Sequence, residues 1–356
     1  MTCLHRLPMT APGWIPGPIG LASPALRGSG ILRAKHRKTS SASSVIAALV
    51  GDLLVAATKT FAAITTGSAA MTSEAIHSFV DSTNEVLLLY GIHRSRRKPD
   101  VEHPFGHGRE LYFWSFVVSL LIFALGAGVS IYQGIQRIQH PVPIESPLVS
   151  YIVLALAFLF EGGSWLVAAR QFSHAKGKLG ALEAVRISKD PPSFMTMLAD
   201  SVAMVGLGIA AITTYLAGAL ERPDVDGMGS VAIGVLLAVT SIFLARESKS
   251  LLIGERAYPS VRRSILAIAN DHPGCLKANG LLTVQLGPEQ IVAMLSLEFA
   301  DGMRAPQIEE TVIELERRVR AENPEVVALF IKPQTTKAFR DQLSGLTDRR
   351  DGGEPT

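Results

Sequence analysis

His77 and Asp81 stand four residues apart in an otherwise apolar stretch, SEAIHSFVDSTNEVLLLYGI, over residues 73–92. Asp200 follows Thr196 by the same interval in a second stretch, SFMTMLADSVAMVGLGIAAITTYLAGAL, over 193–220. On a helix, residues i and i+4 share a face, with Cβ atoms about 5–6 Å apart. An imidazole and a carboxylate so placed can grip one divalent metal ion. Ionisable groups in hydrocarbon cost about 2.5–3.5 kcal/mol each on insertion scales, so their presence marks a functional site. A metal site at that depth suggests that the ion itself crosses the membrane.

Those stretches must be held by long apolar helices, and the composition supplies them. The chain of 356 residues is 48% apolar and 18% charged, with a mean hydropathy of +0.29. Soluble domains carry about 25% charge. A spanning helix needs about 20 mostly apolar residues. Six segments meet that length, at 43–66, 71–93, 111–136, 147–170, 192–218 and 227–246. The two cysteines, Cys3 and Cys275, are far apart and form no CxxC pair, so neither a disulfide framework nor a cysteine metal motif is expected.

Loop charges orient the bundle. Arg33, Lys35, Arg37 and Lys38 precede the first segment. Arg94, Arg96, Arg97, Lys98 and Arg109 lie between the second and third, and Arg170, Lys176, Lys178, Arg186 and Lys189 between the fourth and fifth. The opposite loops hold almost no basic residue: QHPVPIESP has none and ERPDVDG only Arg222. Basic loops face the cytoplasm, or the equivalent compartment of an organelle, which places both termini there; a bacterial inner membrane is the expected host. The net charge of +3 is spent in these loops, so nucleic acid is not an expected partner. Residues 1–41 are expected to be a disordered tail; a transit peptide or a late start at Met9 are alternatives.

The membrane part is read as 42–250, followed by a small soluble domain over 251–333. YPSVRRSILAIANDHP is amphipathic at helical spacing. Two strand-like runs follow, GLLTVQLGP and IVAMLSLEFA, then a second amphipathic helix, APQIEETVIELERRVRAEN, and a closing strand, EVVALFIKP. The fold class is therefore a mainly α membrane protein with six transmembrane helices and a cytoplasmic α+β domain of αββαβ order. Residues 334–356, charged and glycine-rich, are expected to be a disordered tail.

Several motifs together carry a resemblance: HSFVD in the second segment, HPFGHGRELYFW entering the third, GAGVSIYQGIQRIQHPVPI closing it, DPPSFMTMLADS opening the fifth and DGMGSVAIGVLLA in the sixth. The chain resembles the cation diffusion facilitators over residues 42–333, and within them the branch containing the mitochondrial zinc exporter of animals. The resemblance implies a homodimer that exchanges a cytoplasmic divalent metal ion for protons by alternating access. It also implies a transport site built from two ligand pairs, one on the second helix and one on the fifth. His77 and Asp81 match the first pair. Asp200 matches half of the second, while Thr196 stands where many members have His or Asp, and Ala199 where the branch often has Glu. Three ligands with Thr196 or a water as the fourth is an accepted zinc arrangement. Zinc is favoured by the resemblance; manganese, iron and cobalt also suit one nitrogen and two carboxylates. The metal is cargo, and no resident cofactor is expected.

The residues support exchange independently, because a metal needs neutral imidazole and ionised carboxylates, so protons compete for the same atoms. An intramembrane metalloprotease is disfavoured, since HExxH is absent, and no enzyme activity is expected. A transport-incompetent relative serving as a scaffold or metal sensor is the alternative, motivated by Thr196. Asp52 and Lys59, seven apart on the first helix, are expected to form an internal ion pair. Glu85 could be a relay or a helix contact, and Glu161 is read as structural. In HPFGHG, the Pro and Gly between His103 and His107 favour an ordinary loop over a metal site. The soluble domain holds one histidine, His272, so dimerisation without a rich metal site is expected there.

Overall fold

A computed structural model describes residues 41–67, 69–141, 147–176 and 181–342. The N-terminal tail expected before the first helix, and the part of the C-terminal tail expected over 343–356, lie outside the described residues. Six long helices dominate the described residues. They are α1 (Ser41–Thr66), α2 (Ala69–Ser95), a continuous rod made of α3 (Arg109–Leu121), a π-helical segment (Ile122–Ala127) and α4 (Gly128–Gln139), then α5 (Pro147–Lys176), α7 (Pro191–Ala219) and α8 (Asp224–Ile253). A short helix, α6 (Ala181–Ile187), precedes α7. Pro191 and Pro192 open α7, where a missing N–H costs nothing.

Three of the rods, Arg109–Gln139, Pro191–Ala219 and Asp224–Ile253, are long and apolar enough to cross a membrane. Helices α1, α2 and α5, of 26, 27 and 30 residues, are also long enough, since 26 residues at about 1.5 Å each exceed a hydrocarbon core of about 30 Å. Helix α1 carries the buried Lys59, α2 the buried Glu74 and His77, and α5 Glu161. Helix α2 packs on α1, α3, α7 and α8, and α5 packs on α1 and α7, so α2, α5 and α7 converge.

Glycines let the rods approach. A Cβ on Gly134 of α4 would lie 2.7 Å from the Gly227 carbonyl oxygen, and one on Gly227 of α8 would lie 2.9 Å from that of Gly134. Lipid supplies no hydrophobic drive between helices, so close backbone packing of this kind holds them.

The C-terminal domain runs α9 (Pro259–Asn270), β1 (Cys275–Gly287), β2 (Gln290–Phe299), α10 (Ala305–Glu322), β3 (Val326–Pro333). Strands β1 and β2 form an antiparallel hairpin; β3 joins β2 in parallel after the crossover helix α10, giving the order β1-β2-β3. Leu281, Leu295, Ala293 and Leu329 bury one face against Ile265 and Ile268 of α9 and Leu315 and Val319 of α10. The opposite face leaves an apolar row exposed, in which Leu282 pairs with Met294 and Met294 with Phe330.

The tail expected from residue 334 does not begin there. Residues 336–342 are helical. Thr336 Oγ1 donates to Glu298 Oε2 at 2.6 Å, and Asn279 Nδ2 donates to the Gln334 carbonyl at 2.7 Å. These bonds tie the segment back to the sheet, which a composition-based reading of a polar stretch does not register.

Candidate metal centre

Helix α2 presents a polar ladder on one face: Glu74, His77, Asp81 and Glu85, at intervals of three and four residues. His77 Nε2 lies 3.0 Å from Asp81 Oδ2, so the pair expected from spacing is formed. His77 is 2% exposed, and its other ring nitrogen, Nδ1, is buried without a hydrogen-bond partner.

Asp81 opens onto a cavity with about 40 Å³ of room for the centres of water molecules. That is enough for a small cation or a few waters. Thr196 and Asp200 of α7 form the facing wall, so Asp81, Thr196 and Asp200 share one space. His77 is not at the wall; it meets the cavity through Asp81. Ser164 Oγ of α5 donates to Asp200 Oδ2 at 3.3 Å. Val118, Leu244 and Ile122, the first residue of the π segment, supply apolar walls.

Three further carboxyl groups reach the same cavity: Asp52 of α1, Glu85 of α2 and Glu161 of α5. Glu85 thus joins the cavity rather than a plain helix contact. Their signal in the sequence was that of any ionisable residue in an apolar segment, without a spacing to say what they met.

The Asp52–Lys59 ion pair expected from the sequence is corrected. Lys59, fully buried, reaches Glu74 Oε2 at 3.0 Å and Glu161 Oε1 at 2.6 Å. Two partners on other helices neutralise a buried ammonium better than one carboxylate two turns away on its own helix. Glu161 is therefore part of an ion triad.

A second cluster sits in the α2–α3 loop. His103 Nδ1 is 3.2 Å and His107 Nε2 2.9 Å from the two oxygens of Asp100. One ligand atom from each of the three lies within 4.8 Å of the others. Gly106, at φ +83°, makes the turn that returns His107 to Asp100, and its amide donates to the His103 carbonyl at 2.9 Å. The glycine that argued for an ordinary loop is what assembles the cluster, and Asp100 was missed. The His103 amide and the His107 side chain hold the Asp100 carboxyl down to about 2.

This loop touches the C-terminal domain. The Phe105 and Phe330 rings meet edge to face at 6.4 Å, and a Cβ on Gly108 would lie 2.7 Å from the Leu286 carbonyl oxygen. Nearby, Lys189 pairs with Glu255, and its amide donates to the Tyr258 hydroxyl at 2.9 Å. His272 is engaged by Glu314 at 3.4 Å and by the Gly274 amide at 3.1 Å.

Long apolar helices enclosing a carboxylate-rich cavity, with a small αββαβ domain at the end of the basic loops, define a membrane protein for cations. The cation efflux transmembrane domain matches residues 45–253. The chain belongs to the cation efflux family. It is 35% identical over 247 residues to the mitochondrial proton-coupled zinc antiporter SLC30A9 of Homo sapiens, covering 68% of this chain and 43% of that protein. It is 34% identical over 192 residues to metal tolerance protein C4 of Arabidopsis thaliana, covering 53% and 42%. Cation-efflux pump FieF of Cronobacter sakazakii is 27% identical over 282 residues, covering 77% and 88%. The chain thus spans less than half the length of the first two.

Proposed function

We propose that this chain is a six-span carrier that exchanges a divalent metal ion, zinc by preference, for protons. His77, Asp81 and Asp200 hold the ion, with Thr196 or a water beside them. The observation that carries the reading is the shared cavity of Asp81, Thr196 and Asp200, with His77 Nε2 lying 3.0 Å from Asp81 Oδ2. Five carboxyl groups, Asp52, Asp81, Glu85, Glu161 and Asp200, line that cavity, and Lys59 pairs with Glu161 and with Glu74. So many cannot all be ionised in a low-dielectric interior unless a cation joins them. A divalent ion or protons meet that need, and each displaces the other. That exclusion is the coupling, and the names of the SLC30A9 relatives agree with it.

The Asp100–His103–His107 cluster supports a second metal site in the basic α2–α3 loop, outside the bundle cavity. Both termini are read as cytoplasmic, because the basic α2–α3 loop and the C-terminal domain lie together. A bacterial inner membrane remains the placement favoured by the sequence. Two copies pair through the C-terminal domains, whose exposed row of Leu282, Met294 and Phe330 suits a partner's matching row.

Metal uptake into liposomes carrying the purified protein tests the site. Asp200→Ala should lose uptake to background while remaining inserted and eluting like wild type on gel filtration. Undiminished uptake by that variant would remove Asp200 from the site.

A further inference from the structure

Thr196 leaves the site one strong ligand short on α7, and α5 offers a replacement. We propose that Glu161 is the fourth protein ligand of the transported ion, held in position by Lys59; this rests on the cavity being the transport site.

Three observations carry the assignment. Glu161 lines the same cavity as Asp81, Thr196 and Asp200. Its two oxygens are in different circumstances: Oε1 accepts from Lys59 Nζ at 2.6 Å, whereas Oε2 is buried with no hydrogen-bond partner. A carboxylate oxygen can accept two bonds, and a buried one left with none is costly unless something else serves it. Finally, Ser164 lies three residues on, and it donates to Asp200 Oδ2, so the face of α5 that bears Glu161 is the face applied to the α7 aspartate.

Lys59 accounts for the one-sided arrangement. It is fully buried and anchored a second time by Glu74 Oε2 at 3.0 Å. An ammonium fixed between two helices holds one oxygen of Glu161 and leaves the other available. Lys59 is thus a positioning residue, and Glu161 the group that meets the ion. The resulting donor set is one imidazole and three carboxylates. Added carboxylate makes the set harder, which raises the standing of manganese and iron against zinc.

The structural alternative is that Glu161 only neutralises Lys59. Glu161→Gln separates the two roles. The amide oxygen still accepts from Lys59, which keeps Glu74 as its ionic partner, but an amide is a poor metal ligand. Zn²⁺ and Mn²⁺ binding to the full-length protein should be measured by calorimetry, with His103→Ala and His107→Ala introduced throughout to silence the loop cluster. Glu161→Gln is expected to weaken both ions by roughly tenfold to a hundredfold. Glu161→His, which returns a nitrogen ligand, is expected to recover Zn²⁺ but not Mn²⁺. That change in the zinc-to-manganese ratio is something a purely structural glutamate would not produce, and it stands even if the glutamine variant folds poorly. Wild-type affinity in Glu161→Gln, together with loss in Asp200→Ala, would overturn Glu161 as a ligand and leave the site intact. Wild-type affinity in Asp200→Ala as well, or no binding in the parent, would overturn the site and this inference together.

Discussion

At the scale of single residues, the distribution of charge decides what each group can do. Asp100 accepts bonds from the His103 amide and the His107 side chain, which hold it at about 2 against an ordinary 3.8. A carboxyl depressed in the folded state contributes stability above its unfolded value, and that contribution is lost as pH falls towards the folded one. The loop is therefore expected to keep its Asp100 contacts down to about pH 4 and to release them between there and about pH 2. A carbon-detected NMR titration of the Asp100 carboxyl should give a midpoint near 2; one near 3.8 would show that these bonds do not form in solution. The proposed ligands His77, Asp81 and Asp200 stood out in the sequence because an ionisable side chain is costly in an apolar segment. The partners of Lys59 were not. Glu74 and Glu161 are 15 and 102 residues away from it, and no spacing rule reaches across helices.

At the scale of elements, the six long helices fall where the apolar segments were read, with ends up to seven residues further out, and length with hydropathy marks three of them as able to cross a membrane. The interruption of the third rod was not read. Its π segment, Ile122–Ala127, carries no Pro, and Ile122 reaches the cavity wall, a common setting for π-bulges. Helix contacts were equally hidden, since Gly134 and Gly227 gain meaning only once α4 and α8 are apposed. Gly134→Val should overpack that seam at a cost of about 1–3 kcal/mol. Thermal unfolding in detergent should show a clear fall in Tm for Gly134→Val and little change for Gly163→Ala, where an added Cβ meets nothing within 4 Å. Equal responses would mean that the α4–α8 approach is looser than described. In the C-terminal domain, alternation in the strands and helical periodicity gave the αββαβ order directly, but the docked helix at 336–342 depends on bonds to Glu298 and Asn279 that composition cannot show.

At the scale of the whole molecule, the α2–α3 loop that bears the Asp100 cluster joins the helix bundle to the C-terminal domain. Phe105 touches Phe330 on the exposed face of the sheet, so the loop that bears Asp100 rests on the surface proposed to pair two copies. Met294, at the centre of that face, should tolerate no charge if the pairing is as proposed. Met294→Glu is expected to shift the purified protein from dimer to monomer by light scattering while leaving its helical content unchanged; a dimer that persists would move the interface elsewhere. Metal and protons are proposed to exclude each other at Asp81 and Asp200. The most direct measurement is proton movement on metal entry, followed with a pH-sensitive dye sealed inside liposomes carrying the wild-type protein or Asp81→Asn. Zinc added outside the wild-type liposomes should enter and make the interior more alkaline in proportion, and both signals should vanish together in the variant. Zinc entry with no accompanying proton movement, or unchanged exchange in Asp81→Asn, would contradict the account.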